Sequence, residues 1–152
     1  MISQTKASQY LNYLTGRTNL TAPDTVYLGI CTDQPGAADG TITGEPTADS
    51  YERKKVFEEI SSTKFNTFFA ESEGGIIENS KEIQMATARQ AWGTHYWWFL
   101  SESEKGNAYL WGELKHLDKT TQELVPGLTV NEETVPVFYA GDLKASIDVA
   151  LT

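Results

Sequence analysis

The heptad THYWWFL at residues 94–100 constrains this chain more than any other feature. Aromatic and β-branched residues of this kind favour extended, pleated backbone. Gly93 precedes the run and the polar residues 101–106 follow it, so it has the length and boundaries of one strand. Alternation puts Tyr96 and Trp98 on one face, and His95, Trp97 and Phe99 on the other. Both faces are then apolar, whereas an antiparallel strand with one solvated face alternates with polar residues. The second face therefore needs a cover: an N-terminal helix, another sheet or a neighbouring subunit. Residues 107–114, with Tyr109, Leu110 and Trp111, return as the second arm of a hairpin. Each aromatic side chain can bury about 150–250 Å², so the heaviest packing is expected here.

The rest of the chain reads as further short strands after one helix. Ala7, Tyr10, Leu11 and Leu14 fall at i, i+3, i+4 and i+7 and share a helical face, and Gly16 ends the helix. A helix this short is marginal alone in water, so its apolar stripe needs a partner. After Pro23, Val26, Leu28 and Ile30 alternate with Tyr27, Gly29 and Cys31. Residues 33–49, rich in Gly and Pro, read as a long loop, and long loops in compact domains are frequently functional. Residues 51–57 read as a strand with a solvated charged face at Arg53-Lys54-Lys55, 67–70 and 76–85 as weaker strands, and 134–139 as an edge strand marked by Pro136. Leu143, Ala145, Ile147 and Val149 alternate with polar residues. Short strands separated by turns, without a βαβ rhythm, predict a mainly β fold. The expected arrangement is an antiparallel β-sandwich or barrel-like domain over 23–152, with a short α-helix within 1–16.

Charge and cysteine usage exclude several classes. The 152 residues carry 12 Lys and Arg against 21 Asp and Glu, a net charge of −9. Nucleic-acid binding starts from clustered basic residues, so neither DNA nor RNA is expected as a partner. No apolar run approaches the length of a membrane span, and no signal-peptide pattern opens the sequence. The sole cysteine, Cys31, lies in an apolar strand and reads as a small core residue.

Catalytic and metal chemistry lack a motif. His95 and His116 are the only histidines and form neither HxH nor HExxH. A spatial pairing of His95 with Cys31 or a serine has no local signature in support. The paired acids Glu58-Glu59, Glu71/Glu73, Glu102/Glu104 and Glu132-Glu133 sit where solvated carboxylates are expected. Asp33, Asp39, Glu45 and Asp49 lack the spacing of a calcium loop. No catalytic residue, metal site or cofactor is assigned. Tryptophans left exposed would instead stack on sugars, and covered ones would favour an assembly protein.

The order of segments resembles a family of small tailed-bacteriophage virion proteins, often labelled tail-fibre or minor structural proteins. Its "P-x-T-x-Y-x-A/G-L/I" segment is matched by Pro23-Asp24-Thr25-Val26-Tyr27-Leu28-Gly29-Ile30. A DP- and Gly-rich loop leading to "GGGYAR" is echoed by Thr32-Asp33-Gln34-Pro35-Gly36 and Ser50-Tyr51-Glu52-Arg53. The pattern "ATADWGTVTHFGIFDAATGGNLLFWGAL" is approached by ATARQAWGTHYWWFL at 86–100 and GNAYLWGEL at 106–114. The closing "F-x-A-G-D-L" appears as Phe138-Tyr139-Ala140-Gly141-Asp142-Leu143. Ala48-Asp49-Ser50 replaces the glycines before Tyr51, and Trp97-Trp98-Phe99 replaces Gly-Ile-Phe.

The resemblance implies a non-enzymatic virion component, made in the host cytoplasm and placed on the particle. Such a protein would be a multi-copy, symmetric element of head decoration, collar, tail or fibre base, contacting other capsid, tail or baseplate proteins. A carbohydrate-binding or host-recognition module is the alternative, and a small hydrolase a third. The expected interface residues are Tyr10, Leu11 and Leu14 on the helix, Asp33 and Pro35 in the long loop, and Trp92, Trp97 and Trp111 around the aromatic hairpin.

Overall fold

The computed structural model describes residues 1–61 and 64–146. One helix, α1 (Gln4–Leu14), precedes the strands β1 (Thr25–Cys31), β2 (Lys54–Ser61), β3 (Lys64–Thr67), β4 (Ile76–Glu78), β5 (Ile83–Gln84) and β6 (Gly93–His95). Then come β7 (Trp97–Ser101), β8 (Ala108–Glu113), β9 (Lys115–Leu117), β10 (Leu124–Pro126), β11 (Leu128–Val130), β12 (Val137–Phe138) and β13 (Lys144–Ser146). Five strands form an antiparallel sheet in the order β3-β2-β1-β7-β8. The others pair as antiparallel ribbons, β9–β10, β6–β11, β5–β12 and β4–β13. The fold is mainly β, with the expected helix near its start, and the described strands close no barrel.

The main core lies between the five-stranded sheet and the ribbons. Val26, Leu28, Ile30, Val56, Trp98 and Leu100 from the sheet meet Ile83, Val130, Phe138 and Ala145 from the ribbons. A smaller cluster, Cys31, Phe99, Ala108 and Trp111, occupies the sheet's opposite face, where Met1, Ala37, Ile42 and Trp97 pack on it. Both faces of the aromatic hairpin are thus covered. At Gly29 a β-carbon would stand 2.2 Å from Phe99 Cζ, so the residue opposite this ring has to be glycine.

The strand expected over 94–100 is broken at Tyr96. Tyr96 N donates to Cys31 O at 3.1 Å and its carbonyl accepts from Leu114 N at 2.8 Å, which holds Tyr96 at the end of the central sheet. The preceding residues leave that sheet, and Leu128 pairs with His95 in the second layer. One alternation therefore does not run through the heptad: Trp98 is buried while Tyr96 is 45% exposed. The 76–85 segment likewise divides into β4 and β5, and the edge strand near Pro136 shortens to β12, the Pro136 carbonyl accepting from Met85 N at 3.0 Å. Leu143 and Ala145 are buried, as their alternation requires. Ile147 and Val149 lie outside the described residues.

Candidate docking surface

The covered second face determines where the helix sits. Residues 1–3 run along β8: Ser3 N donates to Tyr109 O and Trp111 N to Met1 O. The long loop folds back over the same face. Ala108 N donates to Gly40 O at 2.9 Å, Thr32 N to Gly44 O at 3.1 Å, and Gly36 N to Thr41 O at 2.9 Å. Gly40 has φ +76°, and a β-carbon there would lie 1.6 Å from Ala108 O, so glycine permits this approach. Pro35 is fully buried, and Asp33 is exposed. The loop expected to grip a partner spends its backbone groups and Pro35 on its own sheet.

Arg53 pins the loop in place. Its side chain is 4% exposed. Its Nε and Nη2 donate to the two Glu45 carboxylate oxygens at 2.7 and 2.8 Å. Nη1 reaches Ser101 Oγ, Ser103 O and Gly106 O at 2.9, 3.1 and 2.7 Å. The guanidinium lies over the Phe99 ring, 4.8 Å from its centroid, and Tyr51 Oη donates to Glu45 at 2.8 Å. The expectation of a solvated face at Arg53-Lys54-Lys55 fails at Arg53. The planar fork matches a carboxylate and two turn carbonyls together, which outweighs the usual preference of a basic side chain for water.

The hydrogen bonds and the ion pair that fasten the helix lie in its first turn. Ser3 caps it, its Oγ accepting from Lys6 N at 3.2 Å. Gln4 N and Thr5 N donate to Ala37 O and Ala38 O, and Lys6 Nζ meets Glu102 at 2.6 Å beside the Tyr109 ring. Beyond this turn the apolar stripe runs into solvent. Tyr10 is half-buried, Leu11 is 62% exposed and Leu14 75% exposed. Tyr13, absent from the sequence-derived stripe, is also exposed, as is Leu20 in the segment after the helix. Tyr13 lies about 60° from Tyr10 around the helix and widens the stripe. At the C-terminal end Gly16, with φ +72°, has no atom within 4 Å of its would-be β-carbon.

The aromatic candidates divide differently. Trp111 is fully buried, and Trp92 is 8% exposed, its Nε1 donating to Ser50 Oγ at 3.1 Å. They were expected as interface residues. The inward pleat of β8 and the packing of Trp92 edge-on against Tyr51, centroids 5.2 Å apart, make both core residues instead. Trp97 is half-buried and borders a groove of about 600 Å³ with Glu113, Lys115, Leu124, Asp142 and Lys144. Sequence reasoning missed Asp142 and Lys144 here, because only the pairing of β13 with β4 and its packing beside β8 bring them to Trp97.

Several residues weighed for catalysis have structural surroundings. Burial pushes the Cys31 thiol up to about 12, with Glu45 and Asp33 adding to the shift, so it is not a thiolate at neutral pH. His95 is buried in the second layer. Of the paired acids, Glu102 and Glu58 face Lys6 and Lys55, and Glu113 and Glu78, not among those pairs, face Lys115 and Lys144. Among the described residues no three His, Cys, Asp or Glu side chains gather as a metal site, and no helix is long and apolar enough to cross a membrane.

No curated protein matches the chain. Residues 1–145, from the fastened N-terminal segment to β13, match the family model described as the podophage GP4 fiber I protein gp80. The resemblance carried by the Pro23 strand, the loop and the aromatic hairpin thus extends over nearly the whole chain, which belongs to this family of tailed-phage fibre proteins and is a structural component of the virion.

Proposed function

We propose that this protein is a non-enzymatic fibre component that docks into the virion through α1. The observation carrying this reading is a helix held rigidly at one end whose Leu11 and Leu14 are 62% and 75% exposed. Exposed residues of this size on a fastened helix mark an interaction surface, and a fibre component has other virion proteins to meet. The hairpin supplies the rigid centre, and the loop transmits its position to the helix. A Leu11→Ser/Leu14→Ser variant tests the docking directly. Its incorporation into purified particles, read by immunoblot, is expected to fall sharply while its circular dichroism stays native. Native incorporation overturns the reading.

The groove beside Trp97 favours a second role, recognition of a glycan. A partly buried indole whose remaining surface borders carboxylate and ammonium groups offers a stacking surface and hydrogen-bonding groups for a sugar. Binding on a glycan array that is lost in Trp97→Ala supports this role. An array without hits, or hits indifferent to that substitution, removes it.

A further inference from the structure

We infer that the surface covering the exposed α1 stripe is α1 of a second copy of this chain. The inference rests on the docking role proposed above and names its partner. The sequence has no charged residue between Lys6 and Arg17, and Lys6 is already committed to Glu102 at 2.6 Å. The chain as a whole carries −9. When identical surfaces meet, each charge meets its own sign, so a self-contact on so acidic a protein has to be neutral. A basic partner would be met by acids, which are abundant elsewhere on the chain and absent from this face.

The spacing agrees with self-pairing. Ala7, Tyr10 and Leu14 repeat at three and four residues, with Leu11 beside them, as in the seam of two helices packed against each other. Ala7 and Tyr10 are partly covered, whereas Leu11, Tyr13 and Leu14 are 62%, 49% and 75% exposed, so the chain's own fold leaves the C-terminal half of the seam open. The open space around Gly16 leaves the helix end accessible to a second molecule. Three helical turns cannot bury the roughly 1,000 Å² of a stable interface. Association of the free chain is therefore weak, and it strengthens where the particle holds copies close together.

Disulfide trapping captures so weak a contact. The full-length Leu14→Cys variant carries one accessible thiol, because Cys31 is buried with its thiol pushed up to about 12. Oxidation with copper phenanthroline should link Leu14→Cys into dimers several-fold faster than Lys119→Cys, a variant at an exposed hairpin turn, after correction for iodoacetamide reactivity. Adding Leu11→Glu to Leu14→Cys should return the rate to that of the control. Equal rates for Leu14→Cys and Lys119→Cys across concentration overturn the inference. If the rates are equal and the Leu11→Ser/Leu14→Ser variant still loses incorporation, α1 docks on a different virion protein. If incorporation is native as well, the docking role falls too.

Discussion

Replacing Arg53 with methionine removes the clamp between the long loop and the β7–β8 turn while keeping most of the side-chain length. Two charge-assisted bonds to Glu45, at 2.7 and 2.8 Å, disappear. Ser101 Oγ, Ser103 O and Gly106 O lose their shared donor. Breaking a buried ion pair by removing one partner costs about 3–5 kcal/mol. Glu45 is 25% exposed, so water recovers part of its solvation and the lower end, about 3 kcal/mol, applies. With a urea dependence of about 2 kcal/mol per molar, the unfolding midpoint falls by roughly 1.5 M. Lys55→Met is the comparator: it breaks a pair whose side chains are 43% and 52% exposed, where water screens the attraction and little stability is at stake. A cycle with Glu45→Gln then measures the coupling. If Arg53→Met shifts the midpoint no further than Lys55→Met, the clamp contributes nothing and the account of the loop is wrong.

Three further outcomes follow from the packing and the buried groups. Gly29→Ala, whose β-carbon would lie 2.2 Å from Phe99 Cζ, should lose about 2–3 kcal/mol in the same urea experiment, and an unchanged midpoint would show that the ring moves freely. Burial holds the His95 pKa below its ordinary 6.5, partly opposed by the Gly93 backbone. The unfolded chain then takes up the proton first, so stability is lost as pH falls below about 6.5 and levels off once the folded imidazole titrates. His95→Gln should flatten that part of the stability–pH curve, and an unaltered slope would exclude His95 as its source. Cys31, with its thiol pushed up to about 12, should resist iodoacetamide at pH 8 in the folded protein and react promptly in urea; equal rates would contradict its burial.

What could be read from sequence was whatever depends on local periodicity. The β1 alternation sends Val26, Leu28 and Ile30 to one core and Cys31 to the other face, as a period of two requires. The two apolar faces of Trp97-Trp98-Phe99 called for a cover, and the structure supplies it from residues 1–3 and the loop. The break at Tyr96 left no local trace, because it arises where one strand is shared between two layers. Arg53 was misread for a related reason: its partners Glu45, Ser101 and Gly106 are brought to it by the tertiary fold. The α1 stripe was readable, but its exposure was not. A 3.6-residue period reports that a face is apolar and leaves open what covers it.

These differences change what a mutation in the loop would mean. Gln4 N and Thr5 N hang from the Ala37 and Ala38 carbonyls. Ala108 N holds Gly40 O from the other side. Glu45, at the far end of the same loop, is held by Arg53. The direction in which α1 leaves the sheet is therefore set by a loop clamped at both ends. Loss of Arg53 loosens that mounting without touching the exposed leucines, whereas Leu11→Ser/Leu14→Ser alters the contact face and leaves the mounting intact. Surface substitutions away from buried contacts usually stay within about 0.5 kcal/mol, so the leucine variant should assemble poorly at native stability. An Arg53 variant should show its stability loss first, with any assembly defect as a consequence.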